Sequence, residues 1–211
     1  MNATSNHELL LPAGLATAAP APTRGALAPA TAVSIRPAIG DDVTAITRIY
    51  NDSLPQAAPA EPDGEARVHG RRLVASRLAP FNEGSLVPWM EQHRRLGRPL
   101  WVATANGETV GWLSLLGFSD RPACGYAAEV AVYVAGGRCG QGIGRALLRH
   151  AMREAPRWHM DRLMAYIWHD NDASRGLFRS HGFAAWGSLP GVVWAEGRSL
   201  DMLILGLDLT A

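Results

Sequence analysis

The chain has 211 residues, a formal net charge of +1 at pH 7 and an apolar content of 47%. This length suits one compact domain, or one domain with a tail. All 20 basic residues are arginine, and their charge is nearly balanced by 19 acidic residues. This balance argues against general nucleic-acid binding and against attachment to an anionic membrane surface. The apolar runs are too short for a membrane span, and two cysteines make neither a disulfide framework nor a paired zinc motif. We therefore expect a cytoplasmic protein with no metal, nucleic-acid or membrane partner.

The first 32 residues differ in composition from the rest of the chain. They are rich in Ala, Pro, Thr and Leu, they lack Phe, Trp and Tyr, and Glu8 and Arg24 carry their only formal charges. Such a segment buries too little surface to offset the entropy of ordering it. It also lacks the positive start and long apolar run of a signal peptide. We predict that 1–32 is a disordered extension or a misassigned start, with a docking arm as the functional alternative, and that 33–211 is a single domain.

The periodicity of apolar residues predicts a mixed sheet with helices packed on its faces, which is an α/β (α+β) domain. An Asn-Gly pair at 106–107 predicts a tight hairpin turn. In chain order, the predicted elements are a strand at 33–36, a helix from Asp41 or Asp42 to Tyr50, a loop at 55–66, helices at 68–79 and 85–96, strands at 100–104, 109–116 and 129–134, a helix at 143–154, a strand at 163–168, a helix at 174–181 and a strand at 199–207.

A glycine-rich loop between a strand and a helix is the most informative segment. It follows Val132-Tyr133-Val134 and contains Gly136, Gly137, Gly140, Gly142 and Gly144. Glycines let backbone N–H groups approach a ligand closely, and a helix N-terminus adds unpaired donors and a positive dipole end. This combination suits a pyrophosphate, with Arg138 and Arg145 adding charge. The alternative is a turn that only caps the helix.

Two common phosphate-binding motifs do not fit this loop. The P-loop motif requires a lysine, and the chain has none. The spacing of Gly140, Gly142 and Gly144 is not GxGxxG, and the loop lies late in the chain, which disfavours a dinucleotide fold. A second pattern lies about 30 residues further on, where Asn171 and Ser174 precede a short helix that Gly182 terminates.

Together these two segments resemble the GNAT acyltransferases. Cys139-x-x-Gly142-x-Gly144 is similar to their acetyl-CoA motif, except that Cys139 stands where Gln or Arg is usual. The segment from Asn171 to Phe183 is similar to their N-x-x-S-x-x-L signature. Within the family the chain looks most like the phosphinothricin and methionine-sulfone acetyltransferases, from segments near residues 35–51, 129–134 and 189–201. The resemblance implies a mostly antiparallel central sheet with helices on both faces, acetyl-CoA as co-substrate, a small amino-acid-like amine as acceptor, and a homodimer.

The resemblance also implies roles for individual residues. Glu129 would act as the general base for direct attack of the amine in a ternary complex. Backbone N–H groups of Val132 and Val134 would bind the pantetheine arm, and Asn171 would touch it. The full set of implied cofactor-binding residues is Val132, Tyr133, Val134, Arg138, Gly140, Gln141, Gly142, Ile143, Gly144, Arg145, Asn171 and Ser174. The implied substrate-binding residues are Trp112, Tyr126, Val130 and Trp194.

The proton donor for the departing thiolate stays open at the level of sequence. Phe178 occupies the position where many relatives carry Tyr or His, and it has no proton to give. Tyr126, His169, His181 or solvent are the alternatives. Phe178 and Cys139 also favour a second function, a GNAT-like domain that binds acyl-CoA without catalysis. A third is acetylation of protein N-termini or side chains, if the long 55–85 segment widens the groove.

Overall fold

The computed structural model describes residues 33–54, 80–119, 121–195 and 198–211. The predicted N-terminal extension at 1–32, the loop at 55–66 and the helix at 68–79 lie outside these ranges. Within the described ranges, none of the helices has the length and apolar content of a membrane span.

Seven strands form one sheet in the order β1-β2-β3-β4-β5-β7-β6. Strands β4 and β5 pair in parallel, and the five other neighbouring pairs are antiparallel. This confirms the predicted mixed, mostly antiparallel sheet. The strands are β1 (Ser34–Pro37), β2 (Leu100–Ala105), β3 (Glu108–Gly117), β4 (Ala127–Val134), β5 (Arg162–Trp168), β6 (Ala184–Ala195) and β7 (Arg198–Asp208).

Helices cover both faces of the sheet, as predicted. Helices α1 (Val43–Asp52) and α2 (Glu83–Arg95) pack on one face through an aromatic-rich core. Helices α3 (Ile143–Glu154) and α4 (Asp172–Arg179) pack on the other face through the larger apolar core. Each strand between them alternates its side chains between the two cores, because successive residues of a strand point to opposite faces.

Two turns follow the sequence closely. Asn106 and Gly107 both have positive φ, at 52° and 80°, and connect β2 to β3 as the hairpin pattern predicts. Gly182, at φ +86°, follows α4. The residues that favour left-handed backbone therefore mark these boundaries correctly.

Strand β6 is the element that the sequence analysis missed. It contains Gly187, Pro190 and Gly191, which are residues that normally interrupt strands. The structure tolerates them because β6 is the edge strand and its pairing with β7 is broken by two irregularities, at 185–187 and 189–193. The long β6–β7 hairpin completes the sheet beyond β5.

Candidate active site

A cleft opens where the two parallel strands diverge. The pairing of β4 with β5 runs from Ala127 opposite Arg162 to Glu129 opposite Met164. Strand β4 then continues for five residues to Val134, and β5 continues for four residues to Trp168. The carboxyl-terminal halves of the two strands therefore border a gap in the sheet, and Glu129 lies where this gap begins.

Backbone donors of β4 face into the gap. Ala135, directly after β4, donates its N–H to the carbonyl oxygen of Val110 in β3, at 3.0 Å. Since backbone groups of a strand alternate between its two sides, Tyr133 also turns its N–H to β3. The N–H groups of Val132 and Val134 then point toward β5, past the end of its pairing with β4. An extended ligand in the gap would meet these two donors as if it were a neighbouring strand.

The glycine-rich loop continues β4 and ends at the N-terminus of α3. Gly140 and Gly142 have φ of +78° and +83°, which side-chain-bearing residues adopt only at a cost. Gly142 is the N-cap of α3, and its carbonyl oxygen accepts the Ala146 N–H at 2.9 Å. The first-turn N–H groups, those of residues 143–145, therefore have no acceptor within the helix. A Cβ at Gly140 or Gly142 would meet no atom within 4 Å, so the loop faces open space.

Close packing holds the start of α3 beside the gap. A Cβ at Gly144 would lie 3.3 Å from Cδ2 of Leu177 in α4 and 3.6 Å from Cγ2 of Val134. Helix α3 thus begins against α4 and the end of β4, and its dipole is directed at the loop. The unpaired N–H groups, the positive dipole end and the open space in front of them fit a pyrophosphate.

Charged and polar side chains flank this loop. Arg138 is partly buried at the end of a 3-10 turn (Gly136–Arg138), whereas Arg145 is exposed on the first turn of α3. Gln141 Nε2 donates to the carbonyl oxygen of Gly137 at 3.3 Å, which ties the loop to itself. Cys139 is exposed within the loop.

Asn171 and Ser174 lie at the same edge of the sheet, after β5. Asn171 is buried and is the N-cap of α4, where its Oδ1 accepts the backbone N–H of Ser174 at 3.0 Å. Its own N–H donates to the carbonyl oxygen of Trp168, the last residue of β5. The structure therefore brings both predicted motifs to the end of the cleft, one from each side.

Glu129 lies on the face of the sheet that α1 and α2 cover. Its neighbours Ala128 and Val130 belong to the core on the α3 face, so the Glu129 side chain points the other way, with Ala131 and Tyr133. Glu129 is half-buried, and burial raises the pKa of its carboxyl group. A carboxylate with a raised pKa at the point where the cleft begins suits a general base.

Two aromatic residues share this face, and the sequence analysis did not place them in the site. On β5, Leu163, Ala165 and Ile167 pack in the α3-side core, so Tyr166 points to the side of Glu129. Trp186 of β6 lies across Gly206 of β7 on that same side. The sequence feature that could have identified Tyr166 is its phenol hydroxyl among the apolar residues 163–168. The pairing of β5 with β4, which places Tyr166 near Glu129, has no local signature.

The predicted substrate-binding residues are dispersed. Trp112 shares the face of Glu129 but is only 2% exposed, because it stacks on Tyr133 with ring centroids 4.4 Å apart. Tyr126 is 54% exposed and precedes β4, on the opposite side of Glu129 from the gap. Val130 is buried in the core on the α3 face, so its side chain points away from that of Glu129. Of Trp194 the structure describes only the strand position, opposite Ser199.

Phe178 and the two histidines considered as proton donors lie within α4 or close to it in the chain. Phe178 is buried against Phe183, with ring centroids 4.9 Å apart. His181 follows α4, where its Nδ1 lies 2.8 Å from the carbonyl oxygen of Leu177. His169 is exposed after β5 and lies 3.5 Å from the Asp170 carboxylate.

Comparison with known proteins agrees with this geometry. Residues 46–183 match the family model described as the acetyltransferase (GNAT) family. YwnH of Bacillus subtilis, provisionally assigned as a phosphinothricin acetyltransferase, is 34% identical over 179 residues, which cover 84% of this chain and all of that protein. The L-methionine sulfoximine/L-methionine sulfone acetyltransferase of Salmonella typhimurium is 30% identical over 177 residues, covering 84% of this chain and 95% of its own.

A solved structure gives the same result. The Salmonella typhimurium protein yncA, solved with its cofactor acetyl-CoA, superposes with a TM-score of 0.73 at 29% identity, covering 84% of this chain and 94% of that one. The family model spans more than half of the chain, and a relative above 30% identity covers 84% of it. The chain therefore belongs to the acetyltransferase (GNAT) family and is an N-acetyltransferase.

Proposed function

We propose that this enzyme uses acetyl-CoA to acetylate the primary amine of a small amino-acid-like molecule. The observation that carries the proposal is the divergence of β4 from β5 immediately after Glu129. It combines a strand-like binding edge, an anion site and a half-buried carboxylate at one cleft. The names of the relatives, which act on methionine sulfoximine, methionine sulfone or phosphinothricin, support the acceptor class.

The co-substrate would occupy the cleft along β4. The Gly140–Arg145 backbone would hold its pyrophosphate, with Arg138 and Arg145 adding charge. The pantetheine arm would accept hydrogen bonds from the N–H groups of Val132 and Val134, which would place the thioester near Glu129. One of these N–H groups would polarise the thioester carbonyl.

Glu129 would take the proton that the amine loses as it attacks the thioester carbonyl carbon. Its side chain faces the α1/α2 side of the sheet, so the acceptor would approach from that side. Burial raises the pKa of this carboxyl group. The ionised Glu129 is therefore a stronger base than an exposed glutamate. Direct transfer within a ternary complex then needs no acyl-enzyme.

The proposal is tested by thiol release from acetyl-CoA with methionine sulfone, phosphinothricin, common amino acids and a peptide with a free N-terminus. Glu129→Gln should lower kcat by about 100-fold or more. Glu108→Gln, an exposed residue at the β2–β3 turn, is the matched control and should retain activity. Undiminished turnover of Glu129→Gln at pH 7 would remove Glu129 as the base.

The same assay separates the two other functions considered from the sequence. Calorimetric binding of acetyl-CoA without transfer to any acceptor would favour a non-catalytic acyl-CoA-binding domain, for which the burial of Phe178 in the apolar core is the structural argument. Faster turnover of the peptide than of free amino acids would favour protein acetylation. The homodimer and the cytoplasmic location stay predictions.

A further inference from the structure

We propose that Tyr166 of β5 is the residue that protonates the departing thiolate of coenzyme A. The proposal rests on the proposed function, because it requires acyl transfer at Glu129. It assigns a catalytic role that Phe178 cannot fill and that the sequence analysis left open.

The position of Tyr166 follows from the register of the sheet. Glu129 pairs with Met164, and Tyr166 is two residues further along β5, on the same face. Strand spacing and rise put the Cα atoms of Glu129 and Tyr166 about 8 Å apart, or slightly more as the strands diverge. Their side chains thus border the beginning of the gap from opposite sides. The thioester, held along β4, would lie between them.

The surroundings of Tyr166 keep its phenol protonated. On the β7 side it pairs with Ile204, and its diagonal neighbours there are Met202 and Gly206, so that side presents no titratable group. On the β4 side it faces Glu129. Burial, and then the charge of Glu129, raise the pKa of the Tyr166 phenol. The hydroxyl therefore keeps its proton to a higher pH than an ordinary tyrosine does.

With a base on β4 and an acid on β5, the amine proton has an acceptor and the departing sulfur has a proton donor. The amine attacks the carbonyl carbon, and its proton passes to Glu129. The carbon–sulfur bond then breaks, the electron pair stays on sulfur, and the Tyr166 hydroxyl gives its proton to that sulfur. The proton on Glu129 passes to the Tyr166 phenolate, which is the stronger base of the two. Both residues return to their starting states, and the products are the amide and a free thiol.

The decisive variant is Tyr166→Phe, which removes the hydroxyl and keeps the ring. We expect kcat to fall by about 100-fold, with the affinity for acetyl-CoA measured by calorimetry unchanged. His159→Asn, which changes an exposed histidine at the end of the 3-10 turn that follows α3, is the control and should keep full activity. Fluorinated tyrosine at position 166 lowers the phenol pKa, and it should shift the alkaline limb of kcat to lower pH. A purely structural role for the hydroxyl predicts no such shift.

A second measurement needs no turnover. Ultraviolet titration of the wild-type protein minus that of Tyr166→Phe gives the pKa of the Tyr166 phenol. The same difference in a Glu129→Gln background should give a lower pKa, because the neighbouring negative charge is gone. Equal pKa values in both backgrounds would mean that Tyr166 and Glu129 do not interact, and this would overturn the proposed proton transfer between them. If the wild type transfers acetyl and Tyr166→Phe is as fast, the proposal for Tyr166 fails alone, whereas an inactive wild type would overturn the proposed function.

Discussion

Trp186 of β6 lies directly across Gly206 of β7, so closely that a Cβ at residue 206 would overlap the indole ring. Gly206 pairs with Met164, and Met164 pairs with Glu129. The indole therefore lies on the face of the proposed base, two strands away, at about 10 Å by strand spacing. Trp186 is 47% exposed there, on the side of the sheet from which the acceptor would approach.

This arrangement predicts that Trp186 contributes to binding of the amine. Trp186→Ala should raise KM for the acceptor by about 10-fold, as expected for loss of an aromatic contact, without changing the affinity for acetyl-CoA. Gly206→Ala should have a similar effect, because the new Cβ displaces the ring. Gly187→Ala is the matched control, since a Cβ there would lie at an ordinary 3.7 Å from Ile204. An unchanged KM in both test variants would place the acceptor elsewhere.

Two variants at residue 142 of the glycine-rich loop distinguish the effect of a negative charge from the effect of backbone strain. Asn and Asp tolerate positive φ about equally, so Gly142→Asn and Gly142→Asp impose the same strain at φ +83°. Only aspartate places a negative charge before the N-terminus of α3. Calorimetry should show that Gly142→Asp loses acetyl-CoA binding, whereas Gly142→Asn retains a measurable part of it. Equal binding by the two variants would mean that no phosphate lies there.

Most of the fold could be predicted from local sequence patterns, namely the spacing of apolar residues and the positions of turn-forming residues. The apolar pattern predicts helix α3 at its observed bounds, Ile143–Glu154, because one face of it packs in the core while the opposite face is arginine-rich. Positive-φ residues mark the β2–β3 turn and the end of α4. In contrast, β6 is stabilised by its partner β7 and by its edge position, and neither is visible in its own composition.

The candidate site divides in the same way. The glycine loop and the Asn171 cap are local motifs, so the sequence predicts both. The neighbours of Glu129 depend on which strands pair and in which register. Val130 illustrates this, because it adjoins Glu129 in sequence but points to the opposite face. Tyr166 illustrates the reverse, because it lies 37 positions away in the chain and shares the face of Glu129.

The burial of His93 predicts that the free energy of unfolding decreases in mild acid. It is buried on α2 beneath Trp89, and burial lowers its pKa from 6.5 to about 4, with a further contribution from the charge of Arg98. The unfolded chain therefore binds a proton at a higher pH than the folded protein does. The stability due to neutral His93 is complete above pH 6.5 and falls by about 3 kcal/mol as the pH drops to 4.

The measurement for His93 is the free energy of unfolding from pH 4 to pH 7. His93→Leu should flatten this dependence between pH 6.5 and 4, because the replacement cannot take up a proton. His169→Asn, which changes an exposed histidine, should leave the wild-type slope intact. A slope that persists in His93→Leu would assign the acid sensitivity to another group.

The raised pKa of Glu129 predicts that increasing pH raises activity but lowers the stability of the fold. Since the base must be ionised and burial raises its pKa above 4.5, kcat/KM should fall tenfold per pH unit below that raised pKa. In the free protein, the folded state keeps a proton that the unfolded chain has already released. Wild-type stability therefore decreases as the pH rises from 4.5 through the folded pKa, and the loss remains above it.

Replacing the charge should recover that stability. Glu129→Gln should have a higher Tm than the wild type at pH 7, and the two should converge below pH 4.5, where both carry a neutral side chain. Thermal unfolding at pH 4 and pH 7 without acetyl-CoA measures this directly. A variant that is slower in turnover but more stable at neutral pH is the signature of a carboxylate that is desolvated for function. A Glu129→Gln protein less stable than the wild type at pH 7 would instead mean that the ionised side chain has a stabilising partner.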